Sequence, residues 1–310
     1  MKAKFTGHDT FPLRYGWLFK AVNYLNNNGK FTGDESINDA IVQLGVGKNM
    51  VKAIQYWAES VGVIKSVREN SKPLHAISER GDVLFNIKKT ALDPYLEHSC
   101  SVWLIHYWLC SNTDSLTAYR YFFNYSNVQH FEKTKLIDDC FEELNTLVTT
   151  SVEKITTIKK DFDCFLNTYA RKNKIANKKN SKVDEDHFVS PLSELKLIID
   201  NGNGFYISNL ESRPDLPVAV FAYALLDFFN KETKESKINT IDFDSLLTKP
   251  YSPGRIFRLS EAGLSQKLDE LQQFTNKKIA WLDSLGLRQI QVADEVKNNG
   301  MKYVNDYYNR

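Results

Sequence analysis

The chain has 310 residues, 42% of them hydrophobic and 13% aromatic, enough to build a sizeable core, which excludes a globally disordered protein. Its 40 Lys and Arg against 38 Asp and Glu leave a formal charge of +2, so affinity for a polyanion must come from local clustering. The four cysteines form no Cys-x-x-Cys pair and no His stands at zinc-finger spacing from them, so they read as buried or free thiols in a reducing compartment.

Met1 to Thr10 contains no apolar secretory segment, so no signal peptide is read there. A helix is predicted from Tyr15 to Asn27, ended by the Asn-rich run and Gly29. Thr32 and Glu35 stand at capping-box spacing before a second helix that carries Ile37, Ile41 and Leu44 and is broken by Gly45. A third helix begins near Gly47. Its Val51, Ile54, Ala58 and Val61 recur at steps of three and four, one apolar stripe, and Gly62 stops it. Val63–Lys65 and His75–Ile77 read as two short strands around a charged tip, Arg68 to Lys72, and Ser78 opens a further short helix. Helix, turn, helix and two-stranded wing is the order of a winged helix-turn-helix, and residues 1–92 are assigned to it. A small helical module that carries a hairpin is the competing reading.

Residues 93–170 read as a helical, aromatic-rich middle region. Residues 171–189 read as a basic loop, since Arg171 to Lys182 holds six Lys or Arg and no acid, with Asp184-Glu185-Asp186 immediately after. Residues 190–310 read as a C-terminal helical domain. Within it Pro217 introduces an almost wholly apolar helix to Phe229, and a helix lies near Asp244. Ser252-Pro253-Gly254 is predicted to turn into a strand at Arg255–Arg258, with helices from Ser260 onward, so a second winged-helix-like unit is expected here. The two longest apolar runs, Val102–Cys110 and Val218–Phe229, fall well short of the ~20 residues of a spanning helix. The expected class is therefore mainly α with small β wings (α+β), in the cytoplasm.

Chemistry concentrates on the third helix. At 100° per residue Lys48, Asn49, Lys52, Gln55, Tyr56 and Glu59 fall away from the apolar stripe. In a helix-turn-helix the N-terminal part of the second helix meets base edges, where Lys contacts phosphate or guanine and Asn or Gln pairs with adenine. Residues 48–90 hold eight Lys and Arg against four Asp and Glu, the local excess that phosphate binding needs. The expected DNA contacts are Arg14, Lys48, Asn49, Lys52, Gln55, Tyr56, Arg68 and Lys72; an ordinary solvated helix face is the alternative. His8 beside Asp9 could supply a general base or a metal ligand, although a structural histidine pinning the N-terminal arm is favoured. Asp139 and Glu143, four apart, share one helix face and are candidate ligands for magnesium or manganese, against the commoner reading of a solvated surface. No P-loop, His-Glu-x-x-His or Gly-x-Ser-x-Gly occurs.

With these residues in view, the chain resembles the SspB-like family of bacterial DNA phosphorothioation and defence gene clusters, a family first labelled a domain of unknown function. The resemblance rests on Phe5-x-Gly7-His8-x-Thr10-Phe11-x-x-Arg14-x-Gly16-Trp17 and Gly47-Lys48-Asn49-Met50-Val51-x-x-Ile54-x-Tyr56-Trp57. It continues through Ser190-Pro191-Leu192-x-Glu194-Leu195, Ser252-Pro253-Gly254-Arg255-x-Phe257 and Gly286-Leu287-Arg288-Gln289. It implies a DNA-binding role in sulfur modification of the backbone, with strand nicking as the expected activity. It also implies work beside a cysteine desulfurase, an ATPase and a reductase-like sulfurtransferase, and it leaves a homodimer open. It carries no catalytic residue over. The alternative is a non-enzymatic winged-helix transcriptional regulator or adaptor.

Overall fold

The computed structural model describes residues 1–31, 34–69, 72–150, 153–172, 189–234, 238–284 and 286–309. Thr32, the Glu35 side chain, the hairpin tip at 70–71, the Lys72 side chain and most of the basic loop with its acids at 184–186 lie outside the described residues. The chain forms two compact units, residues 1–119 with 130–207 and residues 120–129 with 208–310, which cut across the four consecutive segments expected from sequence.

The first unit opens with β1 (Lys2–Ala3), then α1 (Trp17–Asn26), α2 (Asp34–Leu44), α3 (Lys48–Val61), β2 (Ile64–Glu69), β3 (Lys72–Ile77) and α4 (Glu79–Phe85). Gly45 (φ 64°) follows α2 and Gly62 (φ 82°) ends α3, both in the left-handed conformation that costs glycine no Cβ clash. Ser78 accepts the Gly81 N–H and starts α4. β2 and β3 pair antiparallel from Ile64 opposite Ile77 to Glu69 opposite Lys72, a longer hairpin than the two three-residue strands predicted.

The unit continues through α5 (Ser99–Cys110), β4 (Ser115–Leu116), α6 (Ala118–Asn124), β5 (His130–Glu132), α7 (Lys133–Leu147), α8 (Ile155–Tyr169) and β6 (Ala170–Lys172). A 3-10 turn at Pro191–Leu195 leads to β7 (Ile198–Gly202) and β8 (Phe205–Ile207). α6 begins in this unit, and from Arg120 to Gln129 the chain belongs to the second. β5, β8, β7 and β6 form one sheet in that order, and β1 pairs with β4 in parallel. The stretch read as wholly helical after Pro94 therefore contains two strands. Elements of two or three residues are too short to show the alternation that reveals a strand. Every residue of α5 from Cys100 to Cys110 is buried, as a run broken only by Ser101 and His106 leads one to expect, and α3 and the 3-10 turn pack on it.

In the second unit, α9 (Val218–Glu232) follows Pro217, which stands just before the first helical turn rather than in it. Its apolar residues face α12 (Glu261–Phe274) and α13 (Gly300–Tyr308). Between α9 and α13 come β9 (Thr240–Asp242), α10 (Phe243–Thr248), α11 (Pro253–Ile256), α12, β10 (Ile279–Ser284) and β11 (Leu287–Val292), with the sheet in the order β10–β11–β9.

The strand predicted at Arg255–Arg258 is instead helical and turn backbone. Ser252 accepts the Arg255 N–H, Pro253 occupies the first turn, and a Cβ on Gly254 would sit 2.6 Å from the Leu247 Cα. The arginines here grip backbone carbonyls. Arg255 Nη2 donates to Asn124 O at 2.8 Å, Arg258 Nη2 to Val128 O at 2.7 Å, and Arg213 Nη2 to Asn209 O at 2.7 Å. Burial, followed by repulsion from Arg255 and Arg213, lowers the Arg258 pKa to about 9. The Ser-Pro-Gly-Arg motif is thus a structural clasp. The helices expected from Ser260 onward are interrupted by the β10–β11 hairpin.

The four cysteines are buried, and among the described residues no helix is long and apolar enough to cross a membrane. The chain is of the mainly helical α+β class.

Candidate nucleic-acid interface

α3 owes its orientation to its width of apolar contact. Val51, Ala53, Ile54, Tyr56, Trp57, Ala58, Ser60 and Val61 are buried, more than the predicted stripe, because the N-terminal arm covers a second flank of the helix. Trp57 donates its indole N–H to Phe11 O at 3.0 Å, and Gly7 lies so close to the Tyr56 ring that a Cβ there would fall 2.6 Å from it. Tyr56, expected on the outer face, is therefore buried, with its hydroxyl 3.2 Å from that of Tyr119. Burial foremost, then the Tyr119 and Asp161 charges, push its pKa up.

What remains outside on α3 is its leading edge. Lys48, Asn49 and Lys52 are exposed, and Lys48 and Lys52 make no ion pair among the described residues. Next along the helix, Gln55 and Glu59 are half-buried. Glu59 Oε1 accepts from Gln55 Nε2 at 2.8 Å and lies 2.7 Å from His75 Nε2, on β3. This contact ties the hairpin to the helix. Burial would raise the Glu59 pKa, but hydrogen bonds from His75 and Gln55 outweigh it and the net shift is downward. On β2, Lys65 and Arg68 are exposed while Ile64 is buried. Lys65 was not picked out from sequence, although the alternation along β2 already sets it opposite the inward Ile64. Arg14 is half-buried, its guanidinium 5.6 Å from the Phe11 ring centre and 5.4 Å from that of Trp17.

The structure brings His8 to Asp161 rather than to Asp9. His8 Nδ1 accepts the Thr10 N–H at 3.0 Å, which leaves the proton on Nε2, and Nε2 donates to Asp161 Oδ1 at 2.8 Å. Asp161 Oδ2 accepts the Ala118 N–H at 2.7 Å. His8 is 3% and Asp161 2% exposed, so both ring nitrogens are spent inside the core. Asp9 is exposed and, like Thr10, has a left-handed backbone (φ 46° and 66°), the geometry that folds Thr10 back onto the ring. Asp161 lies 153 residues from His8, and nothing in the local sequence announces it.

On α7, Asp139 is half-buried and bonded to Lys135 at 2.7 Å, whereas Glu143 is exposed. Among the described residues no three His, Cys, Asp or Glu side chains come together as a group that could hold a metal ion.

A family model described as "Protein of unknown function (DUF4007)" matches residues 5–308. No curated protein matches the chain. Two solved structures share its fold. A magnesium ion-bound SspB crystal structure is 27% identical with a TM-score of 0.83, over 98% of this chain and 87% of that one. A further SspB crystal structure is 26% identical with a TM-score of 0.82, over the same shares of each chain.

Proposed function

The chain belongs to the DUF4007 family, and from that premise we propose that it is an SspB-like, DNA-binding component of a bacterial phosphorothioation system. In this reading α2, α3 and the β2–β3 hairpin act as a winged helix-turn-helix. The observation that carries it is the exposed edge of Lys48, Asn49 and Lys52 at the start of α3, joined by Lys65 and Arg68 on the hairpin. Most of the rest of α3 is held in the core, with Met50, Gln55 and Glu59 half-buried. Lysines and Arg68 supply phosphate contacts, and Asn49 is placed to read a base edge. Gln55 is partly taken up by Glu59, and Tyr56 supports the helix from behind.

The finer proposal is that the protein nicks one strand, giving sulfur-transfer partners (a cysteine desulfurase, an ATPase and a reductase-like sulfurtransferase) access to the backbone. Likeness to a magnesium-bound SspB supports a magnesium requirement. Among the described residues no cluster of three His, Cys, Asp or Glu side chains marks where the ion would bind. The engagement of both His8 nitrogens favours the second reading, a winged-helix regulator or adaptor without chemistry. Incubation with supercoiled plasmid, with magnesium or with chelator, separates them. Open circles that depend on magnesium support nicking; duplex binding without open circles under any divalent metal leaves the regulator or adaptor. Absence of duplex binding at low salt overturns both.

A further inference from the structure

Beside the leading edge of α3 lies a cleft of about 440 Å³, lined by Arg14, Tyr15, Trp17, Lys20, Val46, Met50 and Val189. Its volume falls within the ~300–1,000 Å³ typical of small-ligand clefts. Val46 stands in the turn between α2 and α3, and Met50 in the first turn of α3, so the two bracket Lys48 and Asn49 in the chain. The cleft therefore opens next to the residues that would meet DNA.

Its chemistry is flat and mostly apolar. Tyr15 offers an exposed ring backed by the buried Trp17, and Val46, Met50 and Val189 offer aliphatic and thioether surface. Lys20 Nζ donates to Leu44 O at 2.8 Å, which turns its ammonium to the protein, and the Arg14 guanidinium lies 5.4 Å from the Trp17 ring centre. One ammonium so directed makes a poor phosphate cradle. Rings and a planar guanidinium are instead the surfaces on which unpaired nucleobases stack. We propose that this cleft receives one unpaired nucleobase of the bound DNA. The inference rests on the DNA-binding reading of α3 and deepens it. A base seated here would leave its strand locally open, the condition under which another enzyme could reach that backbone.

The test compares three 30-mer duplexes by fluorescence anisotropy: one fully paired, one with a single extra adenine, and one with a single extra abasic nucleotide. The abasic duplex supplies the bend and flexibility of a bulge without the base. The adenine bulge should bind about tenfold tighter than either of the others, within the gain typical of one stacked base. Tyr15→Ala removes a stacking surface and Val46→Trp fills the cleft. Each should erase that preference while leaving affinity for the paired duplex within about twofold, because phosphate contacts dominate it. Equal affinity for the adenine and abasic bulges, or a preference that survives both substitutions, overturns the cleft as a base site and leaves the DNA-binding reading intact. No binding to any of the three at low salt overturns both together.

Discussion

Replacing Lys48 and Lys52 with Ala perturbs the proposed interface without touching the core, since both side chains are exposed and free of ion pairs among the described residues. The leading edge and hairpin together expose Lys48, Lys52, Lys65 and Arg68. If each neutralises one phosphate, the slope of log K against log salt is about −3.6, and affinity falls ~150-fold from about 50 to about 200 mM salt. The double variant keeps two such contacts, so its slope is about −1.8 and the same salt step costs only ~12-fold. Anisotropy titrations of one labelled duplex at four salt concentrations give both slopes, and circular dichroism checks that the variant is folded. A change in slope of about two contacts supports the assignment. An unchanged slope in a folded variant would refute it, because the lysines would then contact no phosphate. Asn49→Ala carries no charge change, so it should leave the slope alone and reduce the preference between cognate and random duplexes.

The buried His8–Asp161 pair sets a second expectation. His8→Ala strips the Asp161 carboxylate of a partner inside the core and should destabilise the protein by about 3 kcal/mol in chemical denaturation. Any nicking activity should fall only with the folded fraction; a fully stable His8→Ala protein that cannot nick would restore His8 as a catalytic candidate. The third concerns acid. The Glu59 pKa is lowered below its ordinary 4.5, so its contribution to stability is fully present above that value and is lost as pH falls through the lowered one. Glu59→Gln should flatten the acid side of a stability-versus-pH curve, and an identical acid limb in the two proteins would contradict the hairpin-to-helix contact.

Local periodicity and local breakers account for what could be read in advance. α3 was legible because its apolar residues recur at helical steps between two glycines, and α5 because His106 alone interrupts the apolar run over Val102–Cys110. The limits have one physical origin, the contribution of distant chain. Tyr56 looked outward because only neighbours on α3 could be weighed, whereas the arm around Gly7 covers it from elsewhere in the sequence. A structural role was favoured for His8, but its partner Asp161 stands on α8, out of reach of any local reading. Arg255–Arg258 reads as a strand on its β-favouring Ile256 and Phe257, yet its arginines turn to carbonyls at Asn124 and Val128, more than a hundred residues away. Cross-chain hydrogen bonds leave no periodic trace.

The second unit repeats part of the first unit's order, with α10 and α11, then α12, then the β10–β11 hairpin, and this raises the question of whether α12 is also a DNA reader. Charge answers against it. The exposed side chains of α12 include Glu261, Gln266, Asp269 and Gln273, and its one cation, Lys267, is buried and donates to Leu216 O and Glu270. On β11, Arg288 is taken by Glu261 at 2.6 Å and stacks 3.6 Å from the Phe243 ring centre. A helix that shows carboxylates and no available cation would repel a phosphate backbone, whereas the exposed lysines proposed as contacts at the start of α3 would attract it. Helix order alone therefore does not confer DNA reading; the sign of the outward residues decides it. Gln266→Ala with Gln273→Ala removes the two amides on α12 best suited to a base edge, and should leave both the duplex affinity and its salt slope as in the parent protein. A loss of sequence preference in that variant, with the slope preserved, would mean that α12 reads bases despite its charge, and the assignment of recognition to α3 alone would fall.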